Sequence, residues 1–207
     1  MNKTPGFQTA RPESQGGTPT HLLILQESGE TEDYTPPHIV AARQAMGGGI
    51  DLDPASCEAA NTIEKAAKFF TKADNGLEQR WEGRVWLNWP YSREGNRAWV
   101  KKLVFKYEQG HIAQGCCISY SSTSESWFAP LLQMPQCFLY ARTRFIGSDG
   151  QIQPAPTKGS VVTYFGSNVG AFATAFAGLQ SQSDLPHKRH LFGSPKNIRS
   201  ETCRPPP

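Results

Sequence analysis

The 207-residue chain has no apolar run approaching the roughly twenty residues that cross a bilayer, so a helical membrane span is not expected. Its first residues, Met1-Asn2-Lys3-Thr4-Pro5, lack the basic-then-apolar order of a secretory signal. Cysteine is scarce. Cys57, Cys116, Cys117, Cys137 and Cys203 are odd in number and include no C-x-x-C spacing, which argues against a disulfide framework and a zinc ribbon. The histidines do not cluster either: His187 and His190 lie in a basic tail, while His38 and His111 stand alone. No metal site is expected. These absences read together as a soluble, cytoplasmic protein without a bound metal. Also missing is a G-x-G loop ahead of Asp51, where a nucleotide-binding fold usually carries its glycine cradle; Gly47-Gly48-Gly49 either substitutes for it or ends a helix.

Charge of one sign is lacking as well. The formal net charge is +3, modest for a partner of nucleic acid, but it is unevenly spread. Residues 1 to 33 are acidic, with Glu13, Glu27, Glu30, Glu32 and Asp33 against Lys3 and Arg11; the end of the chain is basic, with Lys188, Arg189, Lys196, Arg199 and Arg204 against Asp184 and Glu201. Both ends are rich in Ser, Pro, Gly, Gln and Thr. Residues 1–32 therefore read as a disordered leader, broken by the apolar patch Leu22-Leu23-Ile24-Leu25, and residues 181–207 as a disordered basic tail with weak phosphate contact allowed. Residues 33–180 are long enough for one domain with a real core.

What is present centres on Asn88-Trp89-Pro90-Tyr91, directly after the apolar stretch Gly83-Arg84-Val85-Trp86-Leu87. The segment reads as a strand ending in a polar, proline-rigid turn with an aromatic at its tip. Such a turn suits an exocyclic amine. The lone pair of an aromatic NH2 is delocalised into the ring, and acceptors for both N–H groups draw the nitrogen towards sp3. The Asn88 side-chain oxygen and the carbonyl of Trp89 or Pro90 supply two acceptors in a dry site, and Tyr91 is placed to stack on a base taken out of its helix. An ordinary Asn-capped turn has the same local sequence.

Upstream, Thr35-Pro36-Pro37 opens a predicted helix from His38 to Met46, with Thr35 as N-cap and Gly47-Gly48-Gly49 as its stop. Ile50-Asp51-Leu52-Asp53-Pro54-Ala55-Ser56 reads as a strand end running into a second helix opened by Asp53 and Pro54. A carboxylate there is where a doubly wound fold holds a nucleoside cofactor, although Asp-Pro-Ala-Ser is also a plain N-cap. Phe69-Phe70 begins a short strand followed by the polar turn Thr71 to Leu77, in which Asp74 faces either a cofactor or only its own backbone. Downstream, Arg93 to Gln109 shows Trp99, Leu103 and Tyr107 at helical spacing, Ile112 to Tyr120 is strand-like, and Ser126 to Leu132 reads as a short helical segment. Gly170 to Ala177 is a small apolar helix. Arg93 and Arg97 share a helix face after the turn and are candidates for a phosphate beside the target base; a solvated basic face is the alternative. Arg142 and Arg144 give a weaker hint on one strand face. Strands alternating with helices indicate an α/β sheet with parallel strands.

The order Thr-Pro, Asp-Leu-Asp-Pro-Ala, Asp-Asn-Gly-Leu, Trp81 and Val-Trp-Leu-Asn-x-Pro-Tyr, from about Tyr34 to about Phe165, resembles the phage-type DNA N6-adenine methyltransferases, the Dam-like family of phages and prophages. The resemblance includes Cys137-Phe138-Leu139-Tyr140-Ala141-Arg142-Thr143-Arg144-Phe145 and Gly159 to Gly166, which in that family look like the closing antiparallel hairpin. It implies a Rossmann-like S-adenosylmethionine-dependent methyltransferase sheet with an antiparallel edge hairpin. It also implies methyl transfer to adenine N6 in DNA. Carried over residue by residue, it makes Asn88, Trp89, Pro90 and Tyr91 the catalytic turn, and sets Asp51, Asp53, Asp74, Thr35 and Pro36 on S-adenosylmethionine. The family usually has a second proline where this chain has Trp89. Asp51 and Asn88 are 37 positions apart, which is short for a glycine-rich first strand plus two more strands. Asp51 is therefore read as the acid of the ribose-binding strand, with Asp53 as helix cap or second ligand. The partner is DNA and the expected state a monomer in a bacterial host cytoplasm. Other substrates for the same turn are RNA adenine or a protein amide. A catalytically silent nucleic-acid-binding relative, with Trp89 filling the base slot, is the reading from a different class.

Overall fold

The computed structural model describes residues 33–40, 45–92 and 94–179. The expected leader, the tail and Arg93 lie outside the described residues. A single six-stranded sheet organises the rest: β1 (Ile50–Asp53), β2 (Ala66–Phe69), β3 (Gly83–Leu87), β4 (Ile112–Tyr120), β5 (Gln136–Phe138) and β6 (Ser160–Phe165), in the order β2-β1-β3-β4-β6-β5. The first four strands are parallel, and β6 enters antiparallel between β4 and β5. The expected Rossmann-like arrangement with an antiparallel edge hairpin is the observed one. Among the described residues no helix is long and apolar enough to cross a membrane.

Both faces of the sheet are covered, as parallel strands require. Alternation along the strands divides the core in two. Trp86, Cys116, Ile118, Val162 and Tyr164 face one layer, built from α1 (Pro37–Val40), α2 (Glu58–Glu64) and α4 (Val169–Phe176). Val85, Leu87, Cys117, Val161 and Phe165 face the other, under α3 (Gly95–Glu108) and the 3-10 turn Ala129–Gln133. Trp99 and Leu103 of the expected stripe are buried there, and Tyr107 meets Phe165 edge-on with ring centroids 5.4 Å apart. The adjacent thiols Cys116 and Cys117 point into opposite layers; burial is the first cause that raises both, with Cys117 pushed up to about 12, so they serve as packing groups.

Several boundaries differ from the sequence reading for identifiable reasons. The first helix is capped by the Pro36 carbonyl, which accepts from the N–H groups of Ile39 and Val40, so Pro37 and not Pro36 is its first residue. Asp53 does not open the second helix: it ends β1, its Oδ1 accepts the Ala55 N–H in an Asx turn, and Cys57 caps α2 through Sγ. Of Cys137 to Phe145 only Cys137 and Phe138 are strand, at the end of β5, and Ser160 to Phe165 within Gly159 to Gly166 form β6; Leu139 to Phe145 is irregular, so Arg142 and Arg144 do not share a strand face. Instead this segment turns back onto residue 34 through a two-bond bridge, Tyr34 N–H to Ile146 O at 2.7 Å and Ile146 N–H to Tyr34 O at 3.0 Å.

The strand order also locates the ligand crevice. From β1 the chain moves outward to β2 and then crosses back to β3 on the other side of β1, so the direction of winding reverses between β1 and β3. Loops leaving the carboxyl ends of two strands diverge at such a point, and that opening is where doubly wound sheets bind ligands. The carboxyl ends are Asp53 on β1 and Leu87, followed by Asn88, on β3. β1 is thus the strand beside the Asn88 turn, and only β2 lies outside it. That bears on the 37-residue spacing: with a single strand outside β1, fewer residues are needed before the Asn88 turn.

Candidate active site

Asn88 leaves β3 at the crevice and is held by three neighbours. Its Nδ2 donates to the Asp33 carbonyl and to Thr35 Oγ1, both at 3.0 Å. Its Oδ1 lies 3.1 Å from the Tyr91 hydroxyl. That hydroxyl is also 2.9 Å from the Ile118 carbonyl, and a phenol has one proton for the two acceptors, so neither acceptor is served full-time. Burial, then the neighbouring Tyr120, Cys117 and Asp33, push the Tyr91 hydroxyl well above its ordinary range, and it stays protonated at any working pH. The Tyr91 ring lies against Tyr120 at 4.6 Å and meets Trp89 edge-on at 5.5 Å. One ring face is therefore taken by Tyr120.

Trp89 does not occupy this opening. Its indole is 1% exposed, packs edge-on against Trp127 at 6.2 Å and donates Nε1–H to Asn96 Oδ1 at 2.8 Å. The side chain points down into the layer under α3, leaving Pro90 exposed at the turn. A silent relative with Trp89 plugging the slot does not fit this geometry. The large residue is instead part of the core, where truncating a buried tryptophan costs about 3–5 kcal/mol.

The expected cofactor acids separate into three situations. Asp51 is committed elsewhere: it accepts Arg84 N–H at 2.8 Å and makes a two-pronged ion pair with the Arg84 guanidinium at 3.0 and 2.7 Å, in the amino-terminal half of the sheet. The Arg84 side chain is the first cause that holds Asp51 below the usual carboxylate range. A ribose role for Asp51 does not fit, since the ligand edge lies at the opposite strand ends. Gly47 to Gly49 precede β1 at that same far end, with positive φ at Gly47 and Gly48, so they form a turn and not a cofactor cradle.

Asp53 sits at the right edge but is wholly enclosed. Burial, and then Glu64 beside it, raise its carboxyl well above the ordinary value. Glu64 accepts from Trp86 Nε1 at 3.2 Å and Ser56 Oγ at 3.0 Å, whereas Asp53 Oδ2 is buried without a donor. A proton on Oδ2 removes a buried charge and supplies the missing hydrogen bond towards Glu64. In this conformation Asp53 shapes the turn at the end of β1.

A raised folded-state pKa means the folded protein holds a proton that the unfolded chain has released. Stability from this group is therefore lost as pH rises above the usual carboxylate range towards the folded pKa. Glu64→Gln removes the facing negative charge while keeping an acceptor for Trp86, and Cys57 is the other titratable group facing Asp53. The expected effect of Glu64→Gln is a stability curve that falls less steeply than that of wild type as pH rises above the usual carboxylate range, read by urea melts at each pH; equal slopes in the two proteins contradict the assignment.

Asp74 lies beyond β2 at the ligand edge, about twenty residues after the β1 turn, the spacing at which a doubly wound fold places its ribose acid. It is exposed, and its Oδ2 accepts the Thr71 N–H at 2.8 Å and the Thr71 hydroxyl at 2.7 Å, which lower its pKa. The local backbone role and the ligand-edge position are both present. Two residues on, Gly76 lies flat against β1: a Cβ there runs into the Pro54 carbonyl oxygen. The same loop is anchored by Trp81 Nε1–H to Gly76 O at 2.7 Å, and by Lys102 Nζ, which donates to the carbonyls of Leu77 and Gln79 and lies over the Trp81 ring at 4.8 Å.

Thr35 and Pro36 are the remaining residues expected on the cofactor. Thr35 is 1% exposed with its hydroxyl on Asn88, and Pro36 caps α1. Arg97 is exposed on α3 and donates to Ser126 Oγ at 3.0 Å. Two site residues escaped the sequence reading. Tyr120 closes β4 beside Tyr91, and an aromatic at the carboxyl end of a parallel strand was the available signal. Asp33 ends the acidic stretch of the sequence; its carbonyl holds Asn88, its Oδ1 is buried without a partner, and burial raises its carboxyl.

The geometry thus combines an amide oxygen, a proline-fixed turn and two tyrosines at the winding reversal of a doubly wound sheet. No curated protein matches the chain. The family model described as DNA N-6-adenine-methyltransferase (Dam) matches residues 26–176, about three quarters of its length. The chain belongs to the DNA N-6-adenine-methyltransferase family, enzymes that methylate the N6 amine of adenine in DNA.

Proposed function

We propose that Asn88 and the carbonyls of the Trp89-Pro90 turn receive the two N–H groups of an extrahelical adenine, with Tyr91 and Tyr120 forming the aromatic wall of the base slot. The observation that supports this reading most is the Asn88 amide at the carboxyl end of β3, with its oxygen turned to the side where Tyr91 stands and its NH2 turned away. Acceptance of both N–H groups concentrates electron density on the nitrogen before it attacks. S-Adenosylmethionine supplies the electrophilic methyl group when bound. The residues suit such a cationic nucleoside: Asp74 stands at the ligand edge for ribose, Asp33 adds a carboxylate, and the turn after Asp53 offers backbone. The Asn88 oxygen and the turn carbonyl would hold the amine through the transfer, and the methylated nitrogen would release its extra proton to water.

The exposed Arg97 belongs to the same proposal as a ligand for a phosphate beside the target nucleotide. So does an origin in a phage or prophage, with the host cytoplasm as the place of action, because the motifs resemble those of phage-type members. Turnover compared on duplex DNA, single-stranded DNA and single-stranded RNA of one sequence tests the substrate. Preference for duplex DNA is expected, and faster methylation of RNA contradicts it.

A further inference from the structure

We propose that Thr35 is a positioning residue for methyl transfer: together with the Asp33 carbonyl, its hydroxyl holds the Asn88 amide in the orientation that presents Oδ1 to the target amine. The proposal rests on the reading of Asn88 as the amine acceptor. An Asn side chain is nearly symmetrical in shape, and a half-turn about its terminal bond exchanges an acceptor for two donors. A flipped Asn88 meets the amine with N–H against N–H and accepts nothing. Catalysis in this slot therefore needs the flip to be excluded.

The exclusion is built from residues 33–35. The Asp33 carbonyl has no proton, so a flipped Oδ1 faces it lone pair to lone pair, while the native Nδ2 donates to it at 3.0 Å. Thr35 Oγ1 takes the second N–H at 3.0 Å, which leaves Nδ2 no proton to offer the slot. Thr35 is itself almost fully enclosed, so its hydroxyl has little water to replace Asn88. The segment is pinned in turn by the Tyr34 to Ile146 bridge, whose two backbone bonds flank the Asp33 and Thr35 groups in use. The segment between β5 and β6 thereby supports the residue that follows β3. This assignment replaces the cofactor contact that the Thr-Pro pair suggested in the sequence.

The test is steady-state kinetics on duplex DNA with Thr35→Val, Thr35→Ser and Asn88→Ala in the full chain. Thr35→Val keeps size and removes the acceptor; kcat is expected to fall about tenfold, the scale of one missing hydrogen bond with a stranded N–H, with KM for S-adenosylmethionine within about twofold of wild type. Thr35→Ser restores kcat to within about twofold of wild type. In an Asn88→Ala background Thr35→Val has no further effect, because the group it acts through is gone. Thr35→Cys, similar in size and a poor acceptor, stands in for Thr35→Val if that variant does not fold. Wild-type turnover in the valine or cysteine variant overturns the proposal. So does a raised KM for S-adenosylmethionine with kcat retained, which makes Thr35 a cofactor ligand. If Asn88→Ala itself keeps full turnover, the failure lies in the reading of Asn88.

Discussion

Asn88→Ala is expected to lose at least about a hundredfold in kcat on duplex DNA while binding S-adenosylmethionine within a few-fold of wild type. Removing one preorganised group aimed at developing charge costs about 10²–10³ in rate at comparable sites. The substitution deletes the amide oxygen, and the backbone carbonyls of the Trp89-Pro90 turn remain as the only nearby acceptors from that segment. It also leaves the Asp33 carbonyl and Thr35 hydroxyl without their donor, a structural cost of about 1 kcal/mol that a melting curve registers separately. The split is the informative part. Loss of cofactor affinity in step with rate reassigns Asn88 to the cofactor; loss of rate alone keeps it on the amine.

Gly76→Ala is expected to strain the fold beside the candidate site. The added methyl meets the Pro54 carbonyl oxygen, a backbone atom in the turn after β1, so relief requires moving either that turn or the loop that carries Asp74. Overpacking of this kind costs about 1–3 kcal/mol and sometimes more. The loop is also pinned by Trp81 and Lys102, which limits how far it gives way. A loss of about 3 kcal/mol corresponds to a fall of roughly 10 °C in melting temperature for a domain of this size. Because the displaced elements flank the crevice, affinity for S-adenosylmethionine is expected to fall as well, read by calorimetry below the melting transition. An unchanged melting temperature contradicts the tight approach of the two loops.

These two residues also mark what was legible in the sequence. The Asn88 turn was legible as a candidate because its chemistry is local: Asn, Pro and Tyr within four positions, behind a strand whose apolar run is unmistakable. The strands around it were readable for the same reason, since β3, β4 and β6 are apolar and bounded by glycine or polar turns. Distinguishing Asp51 from Asp53 was not possible locally. Both stand on one four-residue strand, and what separates them is Arg84, 33 positions away from Asp51, which claims that acid by an ion pair. Trp89 misled for a similar reason. Its position in the motif suggests a side chain at the slot, whereas an Asn one helical segment later receives its N–H and turns the indole inward. Thr35 looked like a helix cap and a cofactor contact because the amide it serves is 53 positions distant. Local chemistry was visible; partners assembled by the sheet were not.

The most direct measurement is the reaction itself. Purified full-length protein is incubated with S-adenosylmethionine and unmethylated duplex DNA, the DNA is digested to nucleosides, and the methylated products are identified by mass spectrometry. N6-methyladenine formed by the wild type and absent with Asn88→Ala is the expected result. A methyl group on cytosine N4, or no methylated nucleoside from a protein that binds S-adenosylmethionine, contradicts the assignment of the Asn88 turn to adenine in DNA.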